Sequence, residues 1–160
     1  MSDSADFLTA RRVFLIVTGF LFGGLATIGF LVTPTLFYVL DDKQVAGMIA
    51  GEIFKNASFF CLSISLFLLI YANLLVKRGI LQYRGIRWLL IIGIVLTLIG
   101  TFVIQPMMSE WREIALNNGA PVMQSPYAKR FGLFHHISSA MFTIEVVLYL
   151  WVFWTASKTR

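Results

Sequence analysis

The chain has little of what soluble enzymes and disulfide-stabilised domains depend on. It contains one cysteine, Cys61, and only 13% of its 160 residues are charged. A lone cysteine cannot form an intrachain disulfide, and the sequence has no CxxC, HxxxH or HExxH spacing. It also has no GxSxG motif, and its glycines do not form a phosphate-binding loop. Nucleophilic hydrolases and nucleotide-binding enzymes therefore have no support, and we expect a protein that is not an enzyme.

Apolar residues dominate the composition. Hydrophobic residues make up 58% of the chain and its mean hydropathy is +0.81, far outside the range of soluble domains. The net charge of +5 could indicate a nucleic-acid partner. The basic residues, however, flank apolar segments and do not alternate with aromatic residues. The sequence therefore predicts a membrane protein whose partner is the lipid bilayer, with no nucleic acid.

The first apolar run covers 13–40 and contains no charged residue over 28 positions. A helix needs roughly 20 residues to cross the hydrocarbon core, and this run is too long for the core of a signal peptide. Gly19, Gly23 and Thr27 recur every four residues and predict a surface where another helix, including one from a second copy, can approach. Pro34 predicts a kink or the end of the helix near the far side.

Three further apolar runs complete a single transmembrane domain over residues 1–160. They cover 57–76, 88–104 and 132–154. Small or weakly polar residues repeat along the second and third runs, as is typical of close helix packing. The fourth run ends in an aromatic group that predicts an interface belt, formed by Tyr149, Trp151 and Trp154.

Four spans place both termini on one side of the membrane. Eight lysines and arginines fall on that side and five on the other. Because positive loops remain in the cytoplasm, we expect both termini to be cytoplasmic and the protein to lie in a bacterial inner membrane.

The connections on the other side also read as helices. Apolar residues at helical spacing over 41–56 predict that the second helix begins outside the membrane, capped by Asp41 or Asp42. The segment after Pro106 reads as helix as far as Asn118-Gly119, and Ser125-Pro126 predicts the start of the fourth helix. The predicted fold is all-α: an integral membrane antiparallel four-helix bundle, with helices 2, 3 and 4 extended on the extracytoplasmic side.

Glu145 lies near the middle of the fourth span. An ionised carboxylate there costs at least ~2.5 kcal/mol and usually faces protein or a water-filled cavity. Two interpretations stay open: a functional group that carries a proton or cation, and a protonated side chain that joins two helices. No cation lies at its depth in the sequence, so we expect the neutral acid.

Five residues share a broad face of the fourth helix, since they step along it by threes and fours: His135, Ser138, Ser139, Phe142 and Glu145. His136 points elsewhere, because adjacent helical residues diverge by ~100°. His135 is either a water-facing side chain or a ligand of haem or a metal ion, and His136 is a second weak metal candidate. One chain does not supply both axial histidines of a haem, although a dimer could.

Charged residues in the outer extension also have two interpretations. They form either a solvated face with ion pairs between helices, or a site where Arg112 and Arg130 gather an anionic substrate or lipid headgroup. The residues concerned are Glu52, Lys55, Glu110, Arg112, Glu113, Lys129 and Arg130.

Four short segments, PTLFYVL, AGMIAGEIF, QPMMSEWRE and FHHISSAMF, together resemble the transmembrane protein 205-like family, a bacterial domain of unknown function. The resemblance covers nearly the whole chain. It implies a fold and a set of positions but no biochemical activity. The positions are Pro34, Phe37, Gly47, Gly51, Phe54, Pro106, Arg112, His135, Ser138 and Ser139.

The chain departs from that family's pattern at two positions. His136 stands where the resemblance implies glycine, and Phe142 where it implies asparagine. The four-helix arrangement is also similar to that of the copper-resistance-D-like membrane proteins. This similarity is an analogy of fold alone.

The function expected from these residues is binding, or help in transporting, a small ligand or ion through a polar site in the bundle. The expected ligand-binding residues are His135, Ser138, Ser139, Arg112, Glu145, Pro34 and Pro106. The alternatives are a structural or accessory subunit of a membrane complex and a haem- or metal-binding redox protein. A homo-oligomer or a membrane-complex partner is expected, because four helices alone make a small transporter.

Overall fold

The computed structural model describes residues 2–158, with side chains from residue 7 onward. The described chain is almost entirely helical. Its elements are α1 Ser2–Thr27, a π turn Ile28–Val32, α2 Thr33–Val39, α3 Lys43–Lys77, α4 Tyr83–Ile99, a second π turn Gly100–Ile104, α5 Gln105–Asn117, a 3₁₀ turn Val122–Gln124 and α6 Ala128–Lys158.

These elements form four helical segments that are long and apolar enough to cross a membrane. Span 1 covers Phe7–Val39, span 2 Lys43–Lys77, span 3 Tyr83–Asn117 and span 4 Ala128–Lys158. The all-α prediction and the number of spans are therefore confirmed. α3 packs along α4, and α6 packs against both α1 and α4.

The helix boundaries follow the predicted capping residues. The Asp42 carboxylate accepts hydrogen bonds from the backbone N–H groups of Gln44 and Val45, at 2.8 and 3.1 Å, and α3 then runs unbroken to Lys77. α5 ends at Asn117, and Gly119 takes φ +75°, a conformation that glycine adopts without strain. The Ser125 hydroxyl accepts a hydrogen bond from the Tyr127 N–H at 3.2 Å at the start of α6.

Both prolines within the spans follow a π turn by two residues. Pro34 comes after Ile28–Val32, and Pro106 comes after Gly100–Ile104. A proline has no N–H and clashes with the carbonyl four residues earlier, so the backbone must adjust next to it. At both places the residue before the proline bonds to the carbonyl five residues back. Pro34 therefore does not end its helix, which continues to Val39.

The tightly packed core lies in the half of the molecule that holds the chain ends. Phe14, Leu68, Tyr83, Leu90 and Tyr149 are all fully buried there. Phe14 packs against Tyr83 with ring centroids 4.7 Å apart and the rings inclined by 42°. Two hydrogen bonds between helices add to the packing of the same half. Arg11 donates to the Ser157 carbonyl at 2.7 Å, and Arg87 donates to the Asn73 side chain at 2.9 Å. We call this the terminal half.

Candidate functional site

The other half of the molecule contains a cavity of about 960 Å³. Residues from all four spans line it, and so do Asp41 and Asp42 before α3 and the turn at Val122–Gln124. Its walls carry aromatic and methionine side chains, with a few polar groups among them. A volume of this size, with mostly apolar walls and a few convergent polar groups, is typical of a small-molecule site. We call this the cavity half.

The cavity brings together most of the residues that the sequence singles out. Pro106 and His136 are not among its lining residues. The predicted residues that line it are Pro34, Arg112, His135, Ser138, Ser139 and Glu145.

Glu145 and Thr97 form the inner end of the cavity, which we call the floor. Both residues are buried, and Glu145 is 8% exposed. The Thr97 hydroxyl lies 2.9 Å from the Gly93 carbonyl oxygen and 2.9 Å from Glu145 Oε1. A hydroxyl has one proton, so Thr97 can donate to only one of these two oxygens. The Glu145–Thr97 bond joins span 4 to span 3.

A chain of polar side chains continues from the floor into the terminal half. Cys61 lies 3.7 Å from the Thr97 hydroxyl and donates to the Tyr149 hydroxyl at 3.3 Å. Tyr149 in turn shares a hydrogen bond of 2.8 Å with Ser65. The predicted place of Tyr149 in an interface belt is therefore wrong, because this side chain is fully buried. Trp151 and Trp154 are both more than half exposed.

Gly93 makes room for this polar chain. A Cβ atom at Gly93 would lie 2.7 Å from the Tyr149 hydroxyl oxygen and 3.1 Å from its ring carbon. Sequence reasoning did not find Tyr149 as a polar contact. A signal was present, since Tyr149 follows Glu145 by four residues and so lies on the same helix face.

Arg112 lies against the glycine surface at the start of α3. Its guanidinium donates to the Gly47 carbonyl at 3.5 Å, which is a long hydrogen bond. A Cβ atom at Gly51 would lie 3.7 Å from the same group, in ordinary contact. The glycines Gly47 and Gly51 therefore leave room for the arginine to lie against α3 at the edge of the cavity.

The outer charged residues form a solvated face without ion pairs between helices. Of the seven residues in the predicted set, all with described side chains, only Glu52 and Lys55 form an ion pair. Their charged atoms are 3.8 Å apart, within one helix, and both side chains are exposed. Arg112 is the partly buried member of the set and has no carboxylate within ion-pair distance among residues 7–158. The predicted pairing between helices is wrong for these residues.

Gln44 is a lining residue that the sequence did not reveal. Its Oε1 atom is buried and has no hydrogen-bond partner among the described residues. A buried polar atom without a partner costs stability, and such atoms are rare in folded proteins. No residue pattern distinguishes Gln44 from other polar residues of a first helical turn.

Phe142 packs against the π turn of span 1 in the wall of the cavity. A Cβ atom at Gly29 would overlap the Phe142 ring, and Phe54 meets the same ring edge-on with centroids 5.0 Å apart. At this position the chain departs from the residue that the resemblance implies. The Phe142 ring fits at this position because Gly29, which faces it, has no side chain.

His135 lines the cavity, whereas His136 does not. Their ring centroids are 6.1 Å apart. That only one of the two lines the cavity agrees with the divergence expected of adjacent residues. No group of three or more His, Cys, Asp or Glu side chains among the described residues is placed to hold a metal ion. The only thiol, that of Cys61, is buried in the polar chain below the floor.

A second hollow, of about 480 Å³, lies between spans 1 and 2. It is lined by Ile16, Val17, Phe20, Ser63, Ile64 and Phe67. Its one hydroxyl, on Ser63, donates to the Phe59 carbonyl of its own helix. This groove offers a ligand only apolar contacts.

Four apolar spans around a partly polar cavity define the chain as a multi-pass membrane protein. A family model described as "Domain of unknown function (DUF4149)" matches residues 16–116. Because the match covers more than half of the chain, the chain belongs to that family. The matched residues include Pro34, Pro106 and Arg112 but end before span 4. No curated protein and no solved structure matches the chain.

Proposed function

We propose that this protein binds a small ligand in the cavity and helps to move it across or within the bacterial inner membrane. The observation that carries the proposal is the cavity itself, lined by all four spans and by six of the residues expected from sequence to bind a ligand. His135 and Arg112 contact the ligand towards the loops, and Ser138 and Ser139 lie beside it. The floor, at Glu145 and Thr97, holds a proton.

The arrangement proposed in the membrane is an antiparallel four-helix bundle. Three contacts between spans 1 and 4 support it: Arg11 with Ser157, Gly19 with Phe153, and Gly29 with Phe142. Residue numbers rise along span 1 as they fall along span 4. The excess of lysine and arginine at the end that holds the termini favours a cytoplasmic position for that end. The cavity half then faces the extracytoplasmic side, where it includes the extended ends of helices 2, 3 and 4. The transmembrane protein 205-like assignment belongs with this proposal, and Pro34, Gly47, Gly51 and Arg112 support it.

Glu145 is neutral in this proposal. If Thr97 donates its single proton to the Gly93 carbonyl, a protonated Glu145 can donate to the Thr97 oxygen, and both contacts of 2.9 Å are satisfied. No lysine, arginine or histidine forms an ion pair with Glu145 among the described side chains. Infrared difference spectra test this point. A protonated-acid band that is lost in Glu145→Gln supports it, and an ionised-carboxylate band lost in the same variant contradicts it.

Access of water to the cavity provides the direct test. Cys61 is the only cysteine, so Cys61→Ala gives a background without thiols. In that background we expect Ser138→Cys to react with a membrane-impermeant maleimide added to the extracytoplasmic side. Ile144→Cys is the matched control, because Ile144 is exposed on the same helix but does not line the cavity. Equal labelling of the two variants, or labelling from the cytoplasmic side alone, would contradict the proposal.

Transport is tested separately. His135→Ala and Glu145→Gln should each reduce movement of the ligand, while the protein still reaches the membrane. The oligomer proposed with this function should migrate above monomer mass in a native gel. Monomer migration together with unaltered transport in both variants would count against it.

The haem- or metal-binding alternative rests on His135, which lines the cavity and makes no side-chain hydrogen bond within the described part of the chain. A visible absorption spectrum and elemental analysis of purified protein decide it. A Soret band or a stoichiometric metal, lost in His135→Ala, would establish that reading.

A further inference from the structure

The chemistry of the cavity points to one class of ligand. We propose that the cavity binds a membrane lipid with an anionic headgroup, which enters sideways from the bilayer. The headgroup lies at Arg112 and Gln44, and an acyl chain lies along the aromatic walls towards the floor. This inference rests on the proposed function, because it names the ligand of the same cavity.

The charge of Arg112 is the first argument. It is partly buried at the cavity edge, and the structure describes no carboxylate paired with it. The carbonyl of Gly47, at 3.5 Å, leaves most of its donors available. A guanidinium presents five N–H donors in a planar arrangement that suits phosphate and carboxylate oxygens.

The second argument is the Oε1 atom of Gln44, a half-buried residue that lines the same cavity; this atom is buried and has no hydrogen-bond partner among the described residues. An amide group can present either its oxygen or its nitrogen after rotation by half a turn. An oxygen-rich headgroup with a hydroxyl or phosphate oxygen can therefore satisfy Gln44, which no described residue does.

Lys43, the other lysine or arginine that lines the cavity, uses two of its three donors on its own chain. Its ammonium group donates to the carbonyls of Phe37 and Leu40, at 2.6 and 2.9 Å, and so closes the end of α2. Arg112 is thus the lining cation with most of its donors available to the headgroup.

The walls provide the third argument. Below Arg112 the cavity is lined largely by carbon, with Glu145 and Thr97 at the floor already bonded to each other. If the ligand were an anion without an apolar tail, no apolar group would fill this part of the cavity. The aromatic wall residues are Phe30, Phe37, Phe54, Phe131 and Phe142.

The route of entry follows from how span 1 divides. α1 packs along α6, whereas α2 packs against α3. Between α2 and α6 the cavity is bordered by exposed side chains, Phe30 and Pro34 on span 1 and Ser139 and Thr143 on span 4. Phe30 and Thr143 belong to apolar spans, so this gap faces the bilayer. A lipid can enter there without leaving the membrane.

Native mass spectrometry of the purified full chain tests the proposal. The probes are palmitoyl lysophosphatidylglycerol, which is anionic, palmitoyl lysophosphatidylcholine, which is zwitterionic with the same chain, and inorganic phosphate. We expect one lysophosphatidylglycerol to bind, with about tenfold preference over lysophosphatidylcholine, as one charge-assisted contact provides. Arg112→Gln should abolish this preference and Arg112→Lys should restore part of it. Arg130→Gln, at an exposed arginine outside the cavity, should retain it.

Ser138→Trp, which fills the cavity, should remove binding of both amphiphiles. Equal binding of the two amphiphiles, unchanged by Arg112→Gln and lost in Ser138→Trp, would overturn the anionic ligand but leave the proposed function intact. Phosphate that binds as well as the lipid would overturn the bilayer as its source. If neither amphiphile binds and Ser138→Cys is not labelled, the inference and the proposed function both fail.

Discussion

The same four spans build two halves of different character. In the terminal half, Phe14, Tyr83 and Leu90 are completely buried, and the side chains interlock. In the cavity half the buried side chains are mostly small, such as Ala46, Ala50 and Ala115, and the larger ones stand around an open volume. The polar chain from Glu145 to Ser65 lies between the two halves. The difference indicates that side-chain packing stabilises the terminal half more than the cavity half.

The largest expected effect comes from deleting aromatic volume in the terminal half. Phe14→Ala should cost about 3–5 kcal/mol of unfolding free energy, because the ring is fully buried between Tyr71 and Tyr83. Phe37→Ala, in the cavity wall, should cost about 1 kcal/mol. Reversible unfolding in mixed micelles measures both values. Equal costs would show that the two halves are not energetically distinct.

Gly93 tests the boundary between the halves. Gly93→Ala places a methyl group 2.7 Å from the Tyr149 hydroxyl, so we expect a loss of about 1–3 kcal/mol through overpacking. Gly24→Ala is the matched control, since nothing lies within 4 Å of the added carbon. Adding Tyr149→Phe to Gly93→Ala should recover part of the loss. If it recovers nothing, the contact with the hydroxyl is not the cause.

Two substitutions of Glu145 distinguish a neutral acid from an ionised one by their effect on the unfolding free energy. Glu145→Gln keeps a donor for the Thr97 oxygen and should change the unfolding free energy by less than about 1 kcal/mol. Glu145→Ala removes the partner and should cost about 1–3 kcal/mol. Thermal unfolding in detergent compares them. A loss in the glutamine variant as large as that in the alanine variant would favour an ionised carboxylate whose charge is needed.

The smallest effect is expected at the exposed pair Glu52 and Lys55. Removing it with Lys55→Gln should change stability by at most about 0.5 kcal/mol, since exposed ion pairs contribute little. Arg112→Gln, judged by the same melting measurement without added lipid, should be similarly mild. A large loss there would assign Arg112 a structural role in the cavity half.

The fold could be predicted from sequence because membrane spans depend on long local patterns. Uninterrupted apolar runs, Asp42, Asn118-Gly119 and Ser125 set the helices and their ends through interactions within a few residues. The π turns were not predicted. A proline indicates that the helix backbone must adjust. The sequence does not show whether the helix kinks, ends or forms a π turn there.

Of the site, only the residues that share one helix face could be predicted from the sequence. His135, Ser138, Ser139 and Glu145 share a face of α6, and their place in the cavity follows from spacing. Contacts between helices could not be predicted from the spacing within one helix. Tyr149 is an example, because its hydroxyl forms hydrogen bonds with Ser65 and Cys61 of another span. Ion pairing of the outer charges was misjudged for the same reason, because it depends on distances between helices.

The π turn in span 3 determines where the cavity is sensitive to chain length as well as to side-chain identity. A π turn holds one more residue than an α turn over nearly the same rotation, so removing that residue would restore a regular helix without turning the residues after it. Deleting one residue from Gly100–Ile104 should therefore leave Arg112 facing Gly47, whereas deleting one from the regular helix between Gln105 and Arg112 would rotate Arg112 by ~100°. Relatives that conserve the site should conserve the number of residues between Gln105 and Arg112, even where the π turn itself is replaced by an α turn.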